Sequence, residues 1–516
     1  MRRLIRLSSL LLSSGLALTA GCSNSTVIGG GADGGTGGDM ATSGGGDMAI
    51  TGQPDMAQAV AISGTRLQMG TWLLEGMTTD DFIVADDIVK KNISAVSIAG
   101  GAPKVIDAAA QSLAMHGNAV FTWDTVDKTS GAGVGNIWTS ANGAKQLASA
   151  SLAGEAKINA EGTYIFYTDG TASDGSTTDL YVAKVDGSGA HKITTGTDVT
   201  NACSPKGAFI AGNKLVLSHC ESGNTPDGGV TGARLTVYDA ATGMGTDLDS
   251  GLANWLDISK AGDKVFTADS GNGGLVYAIA GGKPTKIDSD VKDGFLLPDG
   301  SAVVYRTGAG ALKRSAVSSP SPTALVMTGV NFLQRYQIGQ EVYPAISSDG
   351  KYIIYSTNID NMTGLSDLFL ASTATAGMPV TLNPDQKGAL FGDAFTTDGS
   401  RAIFYTMCVN VQAVGGLIGK VNTVATSGGA PVQNGKNVWV SYAGKGSTLV
   451  YDDNFKSAKY HGRGDLFSVD SAKMGAMSTT YAPQAEADFY LTTDKSKVAF
   501  AVNGVAAAGL YVAPIQ

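Results

Sequence analysis

Ten times between residues 80 and 495 the chain repeats one short pattern, and few architectures tolerate such a repeat. Its clearest copy, residues 347–383, reads SSDGKYIIYSTNIDNMTGLSDLFLASTATAGMPVTLN. A polar turn (Ser348-Asp349-Gly350) leads into a run of β-formers, then a polar stretch, a second run at Leu368, and a third at Val380. With the turn glycine as phase marker, equivalents fall at Asp80, Gly117, Gly162, Gly207, Gly262, Gly300, Gly350, Gly399, Gly446 and Lys495, 37 to 55 residues apart. A period of about 40–50 residues with several strands per unit is the mark of a propeller blade. The expected fold is all-β, a β-propeller of repeated four-stranded blades. Ten repeats are counted; eight blades, or two smaller propellers, are the alternatives, because about 4–8 blades is the usual range.

The runs after each marker (AVFTW, YIFYT, KVFTA, AVVYR, YIIYS, AIFYT, TLVYD, KVAFA) are apolar without alternation. That suits strands whose two faces both pack, one against each neighbouring blade. A second run often opens on Asp or Gly followed by Leu, as at Asp179, Gly274, Asp367, Asp465 and Gly509. Beyond residue 60 the one stretch with any helical character is 104–115. LPDGSAVVY, SSDGKYIIY and TTDGSRAIFY, each followed by a D-L-(Y/F)-like run, resemble the propeller repeat of the periplasmic Tol-system protein TolB. The resemblance implies a propeller and a protein-binding role. A repeat of this kind is evidence for fold before function.

Ahead of the repeats stand two segments of another kind. Residues 1–21 carry a basic start (Arg2, Arg3, Arg6) and an apolar stretch from Leu10 to Leu18, as a targeting peptide does. Leu18-Thr19-Ala20-Gly21-Cys22 resembles a bacterial lipobox, which implies that Cys22 becomes the lipid-modified first residue. Ser23, in place of Asp after that Cys, implies the outer membrane. Residues 22–58 form a Gly/Ser/Thr/Asp-rich tether without an aromatic residue, too polar to order itself by burial. Residues 59–516 are the propeller. Its last unit lacks an outer strand, so a strand around Ala59 to Ile62 is expected to close the ring and remove the open edge.

Composition and motifs narrow the chemistry. The net charge is −9 and no basic cluster occurs, which argues against nucleic acid as a partner. Membrane contact would come through the N-terminal lipid. Cys203 and Cys220, 17 apart in one irregular unit, are the candidate disulfide; Cys408 reads as a core thiol. Four scattered histidines (His116, His191, His219, His461), without HExxH or CxxC, give no metal site and no cofactor. No G-x-S-x-G elbow supplies a hydrolase. The Asp-Gly pairs at Asp299, Asp349 and Asp398 read as hairpin turns.

Long connections between the two conspicuous strands recur at 169–178, 221–233, 358–366, 407–415 and 453–464. In a propeller all of these emerge on one face, which therefore presents a surface. The richest combines Asp452, Asp453, Phe455, Lys456, Tyr460, His461 and Arg463, the candidate partner-binding residues. The expected function is a non-enzymatic, lipid-anchored envelope module that binds a protein or envelope polymer. The alternative is a propeller lyase or glycan hydrolase working in the central channel, which needs acidic side chains converging from several blades.

Overall fold

A computed structural model describes residues 62–516, except 160, 199–205, 210–211, 221–232, 250–254, 270–272, 339–340, 361–362, 364, 385–386, 412–415, 458–461, 474 and 506. Cys22, Cys203, Tyr460, His461, the targeting peptide and the tether lie outside the described residues, as does the side chain of Cys220, the last residue of the strand Lys214–Cys220.

The described residues form ten successive four-stranded antiparallel units. Eight are separate sheets spanning 72–107, 110–152, 157–198, 206–249, 255–288, 293–326, 332–381 and 388–433. The ninth and tenth are fused into one seven-stranded sheet because they share the thirteen-residue strand Thr479–Leu491. Its first half pairs with Gly462–Asp470 and its second with Lys497–Val502. Gln484, at φ +56°, marks the bend between the two halves.

The tight turn after each inner strand explains the phase marker. At Asp81, Gly117, Gly162, Gly212, Gly262, Gly300, Gly350, Gly399, Gly446 and Lys495 the backbone is left-handed, with φ between +56° and +71°. Glycine holds that conformation without the Cβ penalty. The turn aspartates satisfy the backbone, as expected: Asp349, Asp398 and Asp494 each accept from the amide two residues on, at 3.0–3.1 Å. Two markers move. Gly207 lies inside the inner strand Lys206–Phe209, and the turn is made at Gly212; in the first blade it is Asp81, not Asp80. The sequence Ser204-Pro205-Lys206-Gly207 imitates the turn motif, whereas the true turn there has no Asp. With these corrections the spacing tightens to 36–50 residues.

The residues of each second strand serve two seams alternately. Ile353 and Tyr355 pack toward the sixth blade, Ile354 toward the eighth. Phe404 faces the seventh blade while Ile403 and Tyr405 face the ninth. This is why the runs are apolar at every position rather than at alternate ones. An apolar cluster fills each successive seam from blade one to blade ten. A further cluster joins Ala499, Ala501 and Leu510 of the tenth blade to Leu74, Ile83 and Val96 of the first. The ring is closed, and one propeller of ten blades accounts for every seam.

Closure is made by the strand Thr65–Met69, which pairs antiparallel with Gly509–Pro514 through Thr65↔Val512 and Met69↔Gly509. The expected position, Ala59 to Ile62, is corrected: Ile62 is outside any strand, and 59–61 are not among the described residues. An outermost strand keeps one edge and much of its surface in water, so apolarity was the wrong guide to it. Asn503 clamps the joint, accepting from Trp72 N at 3.0 Å and donating to Trp72 O at 2.7 Å. The stretch 104–115 is also strand (Lys104–Asp107 and Ala110–His116), turned by Asp107, which accepts from Ala109 N at 2.8 Å and from the Thr122 hydroxyl at 2.6 Å. Pairing with Ala119–Asp124 overrides the helix preference of its alanines.

Candidate binding face

Within each blade the second and third strands are joined at the end opposite the left-handed turns. The start of the connection is itself repeat-locked in five blades, four of them among those with a long connection. Eight residues after the turn marker, Thr125, Gly170, Asn358, Met407 and Asn454 are again left-handed, at φ +47° to +67°. Four of these carry side chains, and Thr125 is β-branched, so the conformation is held by its surroundings at a cost of about 1–2 kcal/mol each. Aspartates one residue earlier help to hold it. Asp169 accepts from Ser149 N, Ala150 N and Gly170 N at 2.8–3.0 Å. Asp453 does the same for Lys436 N, Asn437 N and Asn454 N at 2.7–3.1 Å.

Two of the supposed loops are largely strand. In the eighth blade Arg401–Val411 and Gly416–Ala425 continue pairing beyond a register shift between Thr406 and Val409. In the ninth, Thr448–Ser457 and Gly462–Asp470 do likewise beyond a shift between Asp453 and Lys456. These hairpins run past the body of their blades, and a small apolar cluster of Leu365, Ala389 and Leu417, with Phe391 and Cys408 against it, supports the eighth-blade one. Burial there pushes the Cys408 thiol up to about 12, so it stays protonated.

The predicted partner-binding residues divide sharply. Asp452 is 1% exposed and accepts from Trp439 N and Val440 N at 3.1 and 2.9 Å; burial holds its carboxyl well above the ordinary range. Phe455 is 7% exposed and stacks on Trp439 with ring centres 5.1 Å apart. Both build the base of the hairpin and cannot offer their side chains to a partner. Asp453 is occupied with backbone amides, as above. Arg463 reaches Glu486 of the shared strand, Nε to Oε1 at 3.2 Å, and its guanidinium lies against Gly504, where a Cβ would come within 2.9 Å. Lys456, opposite Arg463 in the ladder, is exposed. The aromatic and charged content that singled out this stretch is mostly spent on its own support.

Sequence reasoning passed over the neighbouring hairpin. Met407 and Val409 there are 53% and 55% exposed. The signal was present in Met407-Cys408-Val409-Asn410-Val411, an alternating β pattern read as loop.

The channel carries a second feature. The inner strand of the seventh blade is interrupted after Gln334 by a hairpin, Arg335–Ile338 paired with Glu341–Pro344, and resumes at Ala345. Arg335 at its base lies over the Phe295 ring at 5.2 Å and is electrostatically coupled to Asp257 and Asp293, on the inner strands of blades five and six. Asp293 is also gripped by the Arg306 guanidinium, Nε to Oδ2 at 3.0 Å. Burial pushes the Asp257 carboxyl up to about 6, although it accepts from Leu296 N at 2.7 Å. Arg335 thus lies within electrostatic reach of a carboxyl group from each of two neighbouring blades.

No family model matches the chain, and no curated protein matches it. Among solved structures it is similar to a eukaryotic initiation factor at 12% identity, with a TM-score of 0.46 over 70% of this chain and 86% of that one. It is similar to the tricorn protease at 11% identity, with a TM-score of 0.28 over 86% and 52%. A third likeness is to the C-terminal WD40 domain of Sif2, at 12% identity and a TM-score of 0.36 over 70% and 95%. These likenesses are too distant to speak to activity. Ten four-stranded blades with ten apolar seams make the described residues an all-β propeller.

Proposed function

We propose that the chain is a lipid-anchored envelope protein whose propeller binds a protein or an envelope polymer through the hairpin-bearing face. The supporting observation is the pair of projecting hairpins in blades eight and nine, with Met407, Val409 and Lys456 turned outward. Exposed apolar side chains on a rigid, repeat-locked support suit recognition better than solvation. The anchor rests on the Leu18–Cys22 motif, and the TolB-like reading rests on the Asp-Gly turn and strand motifs.

A Met407→Lys/Val409→Lys variant should lose a cross-linked partner that wild type retains in the native host, at unchanged thermal stability. Identical partners from both would remove this face from the proposal. A Cys22→Ala variant should lose incorporation of labelled fatty acid and leave the membrane fraction. One observation favours the catalytic alternative: Asp257, raised to about 6, has a proton affinity suited to general acid or base work near neutrality. What weighs against it is that burial raises both carboxyls alike, against the pull of the facing guanidiniums, so the two are not split into one acid and one base.

A further inference from the structure

The seam between the third and fourth blades changes character along its length. Near the left-handed turns it is apolar, with Phe166, Val182 and Leu215 in contact. Toward the hairpin-bearing face it opens into a cavity of about 330 Å³, between the outer strand His191–Asp198 and strands Lys214–Cys220, Ala233–Asp239 and Gly245–Asp249. The third blade contributes three threonines, Thr194, Thr195 and Thr197. The fourth contributes His219, Arg234, Tyr238 and Asp247, and the side chain of Ile193 completes the wall.

The polar groups are arranged in advance. Arg234 donates to Asp247 Oδ2 at 2.7 Å, and the Thr236 hydroxyl donates to Asp247 Oδ1 at 2.7 Å. The Thr236 hydroxyl and, after it, Arg234 hold the Asp247 carboxyl below the ordinary range, so it stays an acceptor. The Tyr238 hydroxyl lies 3.3 Å from His219 Nε2, and His219 is buried at the back of the cavity. Thr194 and Thr197 share a hydroxyl contact at 2.6 Å.

Such a lining discriminates among ligands. A phosphate or carboxylate only accepts hydrogen bonds and would meet the Asp247 charge. A cation would meet Arg234. A neutral hydroxyl both donates and accepts, and finds partners of both kinds in the arginine, carboxylate, phenol, imidazole and threonines. Tyr238 and Ile193 offer apolar surface for the C–H side of a ring. The volume lies at the lower end of the roughly 300–1,000 Å³ common for ligand sites, enough for a sugar residue and too little for a folded segment.

We propose that this cavity binds a neutral sugar residue, either free or at the end of a glycan. The site is separate from the hairpins of blades eight and nine, and it stands whether or not they bind a partner. The test is calorimetric and saturation-transfer titration of the mature chain with glucose, galactose, mannose, N-acetylglucosamine and N-acetylgalactosamine. Disaccharides ending in the same rings separate a free sugar from a glycan terminus, and inorganic phosphate and glucuronate serve as charged probes. At least one neutral sugar should bind with a Kd below about 10 mM, and Asp247→Ala should weaken it at least about tenfold, the loss of one charged hydrogen-bonding partner. Thr195→Val, at an exposed position of the lining, should weaken it several-fold with the melting temperature unmoved. Absence of binding by every neutral sugar, binding unchanged in both variants, or preference for phosphate or glucuronate would each overturn the proposal.

Discussion

The smallest unit of this fold is a single backbone angle, repeated. Ten left-handed residues close the inner turns, and Gly399 is a clean place to weigh one of them. A Cβ there would meet nothing closer than the Ser348 hydroxyl at 3.6 Å, so its replacement tests conformation and not crowding. Gly399→Ala should cost about 1–2 kcal/mol in urea unfolding, the expense of a left-handed L-residue. Asp257 offers a test of charge at the same scale. Its folded pKa is raised to about 6 from an ordinary 3.8, so the protonated form is the one that folding favours. Its contribution is therefore fully present below about pH 4 and is lost as pH rises through about 6. Asp257→Asn should remove that loss: the stability difference between wild type and variant should change across pH 4–6 by up to about 3 kcal/mol. A difference constant across that range would mean that Arg335 neutralises the cost of burying the charge.

At the scale of strands, each second strand is shared between two seams, so one residue can be assigned to one seam. Ile354 is fully buried against the eighth blade. Ile354→Ala should cost about 2–5 kcal/mol, as core truncations do, measured by urea unfolding. Strand identity was legible in the sequence because burial on both faces leaves runs such as YIIY and AIFY without polar alternation. Three elements were not legible, each for a physical reason. Thr65–Met69 is an outermost strand whose surface is half in water, so its residues carry no apolar signature. Met407–Val411 alternates as a strand does but straddles a register shift, and the polar, charged Asp453–Ser457 straddles another, so each looks like loop in the sequence. Asp452 and Phe455 look like contact chemistry in sequence, yet backbone amides and the Trp439 ring absorb them. Composition names the residue types at a site, but not which way a strand turns them.

At the scale of the molecule, closure decides the rest. A propeller whose last blade lacked its outer strand would expose the edge of Gly509–Pro514, an invitation to pairing with another chain. The first blade rests on the tenth through Trp72, whose backbone is held on both sides by Asn503. The rigid face that carries the projecting hairpins depends on that joint, since the Arg463–Glu486 pair and Asn503 border the same shared sheet. The most direct test compares two N-terminal truncations by thermal unfolding and size-exclusion chromatography. Removing residues 1–61 should leave a monomer with the stability of the full-length chain. Removing residues 1–70 should delete the closing strand, lower the melting temperature and broaden the transition, with association through the freed edge. Equal stability for the two truncations would contradict a ring closed by Thr65–Met69.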